Sequence, residues 1–260
     1  MSPSGTPTPR NTGTRRYRGI LRQVEVRIRA LFPDINLANR ALFRLTDLSE
    51  DMRILSLNAE LAAGRAGPRG TAVRALTQYT RGLVRRLVEI NADASGLQSL
   101  YGTTTSALRT LRHLRQLEEA AVHVDIADIS PSGQSALDVL ERVRAGHLHE
   151  MAARIAGING GTTRLGKMVS VVDDVVSQAA SIATNIAAEA VNAGAHEAEF
   201  AAVSETMTRY VEELRTMNDR AARGVRGALE GCKALSEAAT TLTRHQSKPA
   251  FQPAIQGASA

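Results

Sequence analysis

Apolar residues recur in alternating steps of three and four along most of the chain. Leu45, Leu48, Met52, Leu55, Ala59 and Ala62 begin the pattern, and Val73, Leu76, Thr80, Leu83, Leu87 and Ile90 carry it on through Tyr101 to Leu111. A longer run passes from Met151 and Ile155 through Leu165, Val176 and Ile186 to Ala193, and a last one from Phe200 and Met207 through Leu214 to Leu235. Three-four spacing over so many turns is the seam of a helical bundle or coiled coil.

Breakers cut this pattern into four helices. Pro33-Asp34 is read as the start of the first, and Ala66-Gly-Pro-Arg-Gly70 as its end, because a proline cannot continue a helix that glycine has capped. The second runs from about Thr71 to Glu119, and Asp128 to Gly133 makes the next turn. A third runs from about Ser135 to Ala193. A weaker break at Gly194-Ala-His196 precedes the fourth, which ends near His245.

The expected organisation is a disordered basic arm over 1–18 and a first hairpin over 19–127 with its tip near 66–70. A turn at 128–133 leads to a second hairpin over 134–246 with its tip near 193–197, then a disordered tail over 247–260. Short turns make neighbouring helices antiparallel and put both glycine turns at one end. Fifty helical residues would reach about 75 Å. Val24-Glu-Val-Arg-Ile-Arg and Val122-His-Val-Asp-Ile alternate like strands, so a short ribbon is a second reading there.

A repeat underlies the pattern. At a single offset of 127 residues, Asn58 and Asn185, Ala63 and Ala190, Ala66 and Ala193, and Gly67 and Gly194 are identical pairs. So are Val84 and Val211, Leu87 and Leu214, and Asn91 and Asn218. The predicted fold is therefore all-α: an elongated antiparallel four-helix bundle or coiled coil built from two duplicated helical hairpins.

Composition supports this picture and narrows the chemistry. The chain has no Trp, four Tyr and four Phe, so few bulky aromatics are available to line a ligand-binding core. No apolar run reaches the length of a membrane span, and the N-terminus lacks a secretory core. The lone Cys232 excludes an internal disulfide and suits a reducing compartment, so a cytoplasmic location is expected. Of the net charge of +6, all resides in residues 1–30, which hold seven arginines and one acid. That arm, with Arg15, Arg16, Arg18 and Arg22, could touch anionic lipid or an acidic partner, or be a solvated helix extension; nucleic acid is not expected.

Sharper motifs weaken on inspection. Gly161-Thr-Thr-Arg-Leu-Gly166-Lys167 has phosphate-loop spacing, but Met168 stands where a hydroxyl is needed and the helical seam runs straight through. Gly157, Gly160 and Gly161 are read instead as softening the third helix. His147 and His149 diverge on a helix, and His113, His123, His196 and His245 lack Cys or acidic partners at ligand spacing, so no metal, cofactor or catalytic set is expected, and not an enzyme. Asn58 and Asn185 are read as buried polar residues that fix register within the seam.

The two copies, Leu55-Ser-Leu-Asn58 to Arg65-Ala-Gly67 and Ile182-Ala-Thr-Asn185 to Ala-Gly194, resemble the signalling tip of bacterial chemoreceptors, the methyl-accepting chemotaxis proteins. The likeness covers roughly 45–95 and 172–222. The first copy keeps the Asn, Arg65, Gly67 and Gly70; the second keeps Asn185, Glu189, Gly194 and Phe200. These residues are the tip positions that the resemblance implies for partner binding. It also implies coupling to the kinase CheA and adaptor CheW, with one chain acting as a monomeric pseudo-dimer or weak homo-oligomer. A helical scaffold that has lost kinase coupling is the alternative. Ala62, Asn192, Glu197 and Glu199 depart from the family pattern, and no methylation pairs are evident. Arg65 is expected to be displayed for a carboxylate partner, with the acids of the second turn opposing docking there.

Overall fold

A computed structural model describes residues 9–94, 96–123 and 131–246. It contains α1 (Pro9–Phe43), α2 (Leu45–Arg65), α3 (Thr71–Ala94), α4 (Gly96–His123), α5 (Pro131–Val191) and α6 (Glu197–Gln246). Short 3-10 turns occupy Gly67–Gly70 and Gly194–His196. Among the described residues there is no strand, so the protein is all-α. No helix among them is long and apolar enough to cross a membrane.

Several boundaries differ from the sequence expectation. Pro33 does not start a helix; it sits inside α1, and the break falls at Arg44. Proline deprives the carbonyl four residues back of its donor, but Arg29 and Pro33 both lie on the exposed side, where water can replace that bond. Val24 to Arg29 is helical rather than strand-like. Val122 and His123 end α4, while 124–126 lie outside the described residues. The turn expected at 128–133 is described only from Pro131, which already begins α5; residues 247–260 are not described.

The basic arm is also redrawn. α1 begins at Pro9, and Tyr17, Leu21, Val24, Ile28 and Leu31 are buried at helical spacing. Each fully buried side chain of this size contributes about 1.5–3 kcal/mol, while Arg22 and Arg29 lie exposed on the same helix. Residues 9–18, expected as part of a disordered arm, are thus the first turns of α1, while residues 1–8 lie outside the described residues.

The chain divides into two compact units. One, the turn unit, comprises 33–100 and 161–228. Here α2, α3, α5 and α6 share one core: Leu55, Ala59, Thr77, Ile186, Val203 and Met207 surround a cavity of about 10 Å³. Gly224 lets α6 approach α1 closely, since a Cβ there would stand 2.5 Å from the Asp34 carbonyl oxygen and 2.8 Å from the Ala38 nitrogen. Gly161 serves packing rather than softness, because its Cβ would meet Leu100 at 2.9 Å.

The terminal unit comprises 1–32, 101–160 and 229–260. Its described core takes Leu21 and Ile28 from α1, Ala107 and Leu111 from α4, Leu148 and Met151 from α5, and Leu235 from α6. Cys232 is packed in this core. Gly157 belongs here too, its Cβ position 3.3 Å from Thr103.

Burial repeats at the sequence offset. Leu21 and Leu148, Ile28 and Ile155, Ile35 and Thr162, Met52 and Ala179, Leu87 and Leu214, and Ile90 and Met217 are pairs buried in both copies. Beyond them the offset grows by one: Leu100 pairs with Ala228, Thr104 with Cys232, Ala107 with Leu235 and Leu114 with Leu242. One more residue therefore lies between Met217 and Ala228 than between Ile90 and Leu100. That interval includes position 95, between α3 and α4.

Candidate interaction site at the paired turns

α2 ends because Gly67 adopts φ 58°, a left-handed conformation that costs a side chain about 1–2 kcal/mol. Pro68 follows, and the Thr71 hydroxyl donates to the Pro68 carbonyl at 2.9 Å as α3 begins. The second turn repeats the device: Gly194 has φ 63°, and the Ala193 N–H donates to Ala190 O at 3.0 Å. Glu197 and Glu199 occupy the first turn of α6, where acids suit the positive end of the helix dipole.

The two turns share one core. Ala62, Ala63, Ala66 and Val73 of the first pack with Ala190, Ala193 and Phe200 of the second. Ala63 and Ala190, Ala66 and Ala193, and Val73 and Phe200 are each 127 apart, so positions at the sequence offset meet in it. Small side chains let the backbones approach closely. Gly70 is buried because a Cβ there would fall on the Ala63 backbone.

Charges tie the turns across the top. Arg65 donates to Glu199 of α6, and His196 Nδ1 lies 3.4 Å from the other Glu199 oxygen. Arg69 lies over Gly194, whose Cβ position is 2.5 Å from its Nη1. Arg65 is thus displayed at the surface, its side chain 62% exposed, but already paired with Glu199 as counter-ion. Within the first hairpin Arg81 donates to Glu60, and in the second the Ser204 hydroxyl donates to Ala183 O at 2.9 Å.

The predicted tip residues divide by depth. Asn58 and Asn185 are exposed, so neither fixes register from within the seam; both lie one position outside the buried stripe. Glu189 is half-buried, and Asn192 and Gly194 are exposed. Phe200 is fully buried and Gly70 is buried, so they shape the tip but cannot be touched by a partner. The residues of the phosphate-loop pattern lie inside α5 without a turn.

One surface feature was not singled out from the sequence. Ile54, Leu57 and Leu61 follow three-four spacing on the outer face of α2 beside Asn58, and Leu61 is 64% exposed. Their counterparts in the second copy, Ser181, Thr184 and Ala188, are polar or small. The signal was available in the sequence as a second apolar stripe on one helix. Flanking charges are already paired: Arg53 binds Glu50 and holds its carboxyl below the usual range, and Arg81 binds Glu60.

Away from the turns, Arg18 and Arg22 line a groove of about 110 Å³ with Leu21, Arg115, Glu118 and Glu119 in the terminal unit. Arg15 and Arg16 lie on the same helix, α1. Arg115 also reaches Glu25 at 3.1 Å, so basic and acidic groups alternate along this groove. Burial pushes Glu118 above the ordinary carboxyl range despite Arg18 and Arg144 nearby. Below it, the Arg144 guanidinium lies 5.6 Å from the centre of the Tyr17 ring, and burial pushes the Tyr17 hydroxyl up to about 12.

No protein-family description, curated protein or solved structure matches the chain.

Proposed function

We propose that the protein is a non-enzymatic, chemoreceptor-like signalling protein, made by internal duplication, whose paired turns dock a chemotaxis-type histidine kinase and its adaptor, CheA and CheW by the resemblance. The observation that carries this reading is the exposed stripe Ile54, Leu57 and Leu61 beside Asn58, next to two turns of matching geometry. Contiguous apolar surface on a helix whose other face already fills the core supports a partner site there. The repeated burial pattern supports duplication, and the shared alanine core supports one chain doing the work of two hairpins. The asymmetry of the stripe favours docking through the first hairpin.

The test is binding of the purified chain to CheA and CheW. Leu61→Lys, at an exposed site, should abolish binding at unchanged helicity, while Ala188→Lys in the second copy should leave it intact. A second reading, a scaffold that keeps the bundle without kinase contact, is favoured by the Arg65–Glu199 pair, which occupies the guanidinium expected to meet a partner. On that reading neither lysine variant changes anything, because the parent does not bind.

A further inference from the structure

We propose that His113 of α4 and His147 of α5 form a clamp for one transition-metal ion of the zinc(II) class in the terminal unit. The two rings are in tilted contact, with centroids 5.4 Å apart and planes inclined by 54°. A zinc–nitrogen bond of about 2.0–2.1 Å puts the ion about 3.2 Å from each ring centre, so two ligands at a tetrahedral angle have centres about 5.2 Å apart. The observed centroid spacing is close to that value.

The surroundings fit the same chemistry. Glu150 Oε2 lies 3.4 Å from His147 Nδ1, the carboxylate–imidazole arrangement that fixes a ligand's tautomer and leaves Nε2 for the metal. Glu150 is also held by Arg154, one turn further along α5. Among the described residues no group of three or more His, Cys, Asp or Glu could hold an ion, so water would complete the coordination sphere. Such a two-histidine site binds reversibly, as a responsive clamp does rather than a permanent structural centre. The ligands lie on different helices, on either side of residues 124–130, so the ion would close that connection and tie the first hairpin to the second. This inference is independent of any kinase coupling.

Thermal unfolding of the tag-free full chain, with zinc chloride as probe at about a hundredfold excess over Kd, tests it. The melting temperature should rise on the order of 5 °C, and EDTA should reverse the rise. His113→Gln and His147→Gln should each remove the response while melting like the parent in EDTA; His149→Gln should keep it. Glu150→Gln should weaken zinc binding several-fold without removing it. Calorimetric titration should give one ion per chain. No shift in the parent, or a shift that survives His113→Gln, would overturn the clamp.

Discussion

Three glycines within one turn of chain should respond to alanine in three different ways. Gly64 is helical and exposed, with only Arg74 Nη2 at 3.9 Å from its Cβ position. Alanine there gains helix propensity, so Gly64→Ala should stabilise by about 0.8 kcal/mol. Gly67 has open space around it but φ 58°, so Gly67→Ala should cost about 1–2 kcal/mol for a left-handed alanine. Gly70 has the opposite problem. Its Cβ would stand 2.7 Å from both Cα and the carbonyl carbon of Ala63, against an ordinary contact of 3.4 Å or more.

No rotamer can relieve a clash with backbone, so α2 and α3 must part at the turn. Parting loosens the core of Ala63, Ala66, Val73 and Phe200. The cost should lie at the upper end for overpacking, about 3 kcal/mol, which lowers the melting temperature by roughly 8 °C in a chain of this size. Differential scanning calorimetry on the three variants reads the order directly. If Gly70→Ala melts within a degree of the parent, or below neither Gly64→Ala nor Gly67→Ala, the close approach of the helices at this turn is wrong.

Other consequences follow from the same packing. Arg65 and Glu199 form an exposed pair, so a double-mutant cycle with Arg65→Ala and Glu199→Ala should give a coupling of at most about 1 kcal/mol; a larger value would mean the pair holds the tip shut. Removing residues 1–18 should lower the melting temperature by several degrees, since it deletes buried Tyr17, and Tyr17→Ala should cost about 3 kcal/mol; an unchanged melting temperature would restore the reading of a free arm. Glu118 has its folded pKa raised by burial, so the folded state holds its proton more tightly than the unfolded chain does. Its contribution is present below the unfolded pKa and lost as pH rises through the folded one. Glu118→Gln should accordingly raise stability near pH 7 and lose that advantage below about pH 4; equal curves at both pH values would contradict this.

Much of the architecture was legible without coordinates. Burial on a helix needs only 3.6-residue periodicity, and Leu45 to Ala62, Val73 to Ile90 and Met151 to Ala193 display it unbroken. Gly67 and Gly194 marked both turns, because a left-handed residue is a local demand that composition answers locally. What spacing could not resolve was rotation by one position. Asn58 and Asn185 sit beside the seam, and a shift of about 100° decides between core and water.

Tertiary structure alone decided which distant residues meet. Arg65 and Glu199, Gly224 and Asp34, and His113 and His147 lie on separate helices, and no periodicity along one helix sets the distance between two. The same holds for Pro33, whose place in a helix interior depends on which side faces water. Sequence determined helices, seams and turns because each is a property of a short stretch of backbone. The charge ties and the glycine and histidine contacts belong to the fold because they depend on how helices are rotated and shifted against one another.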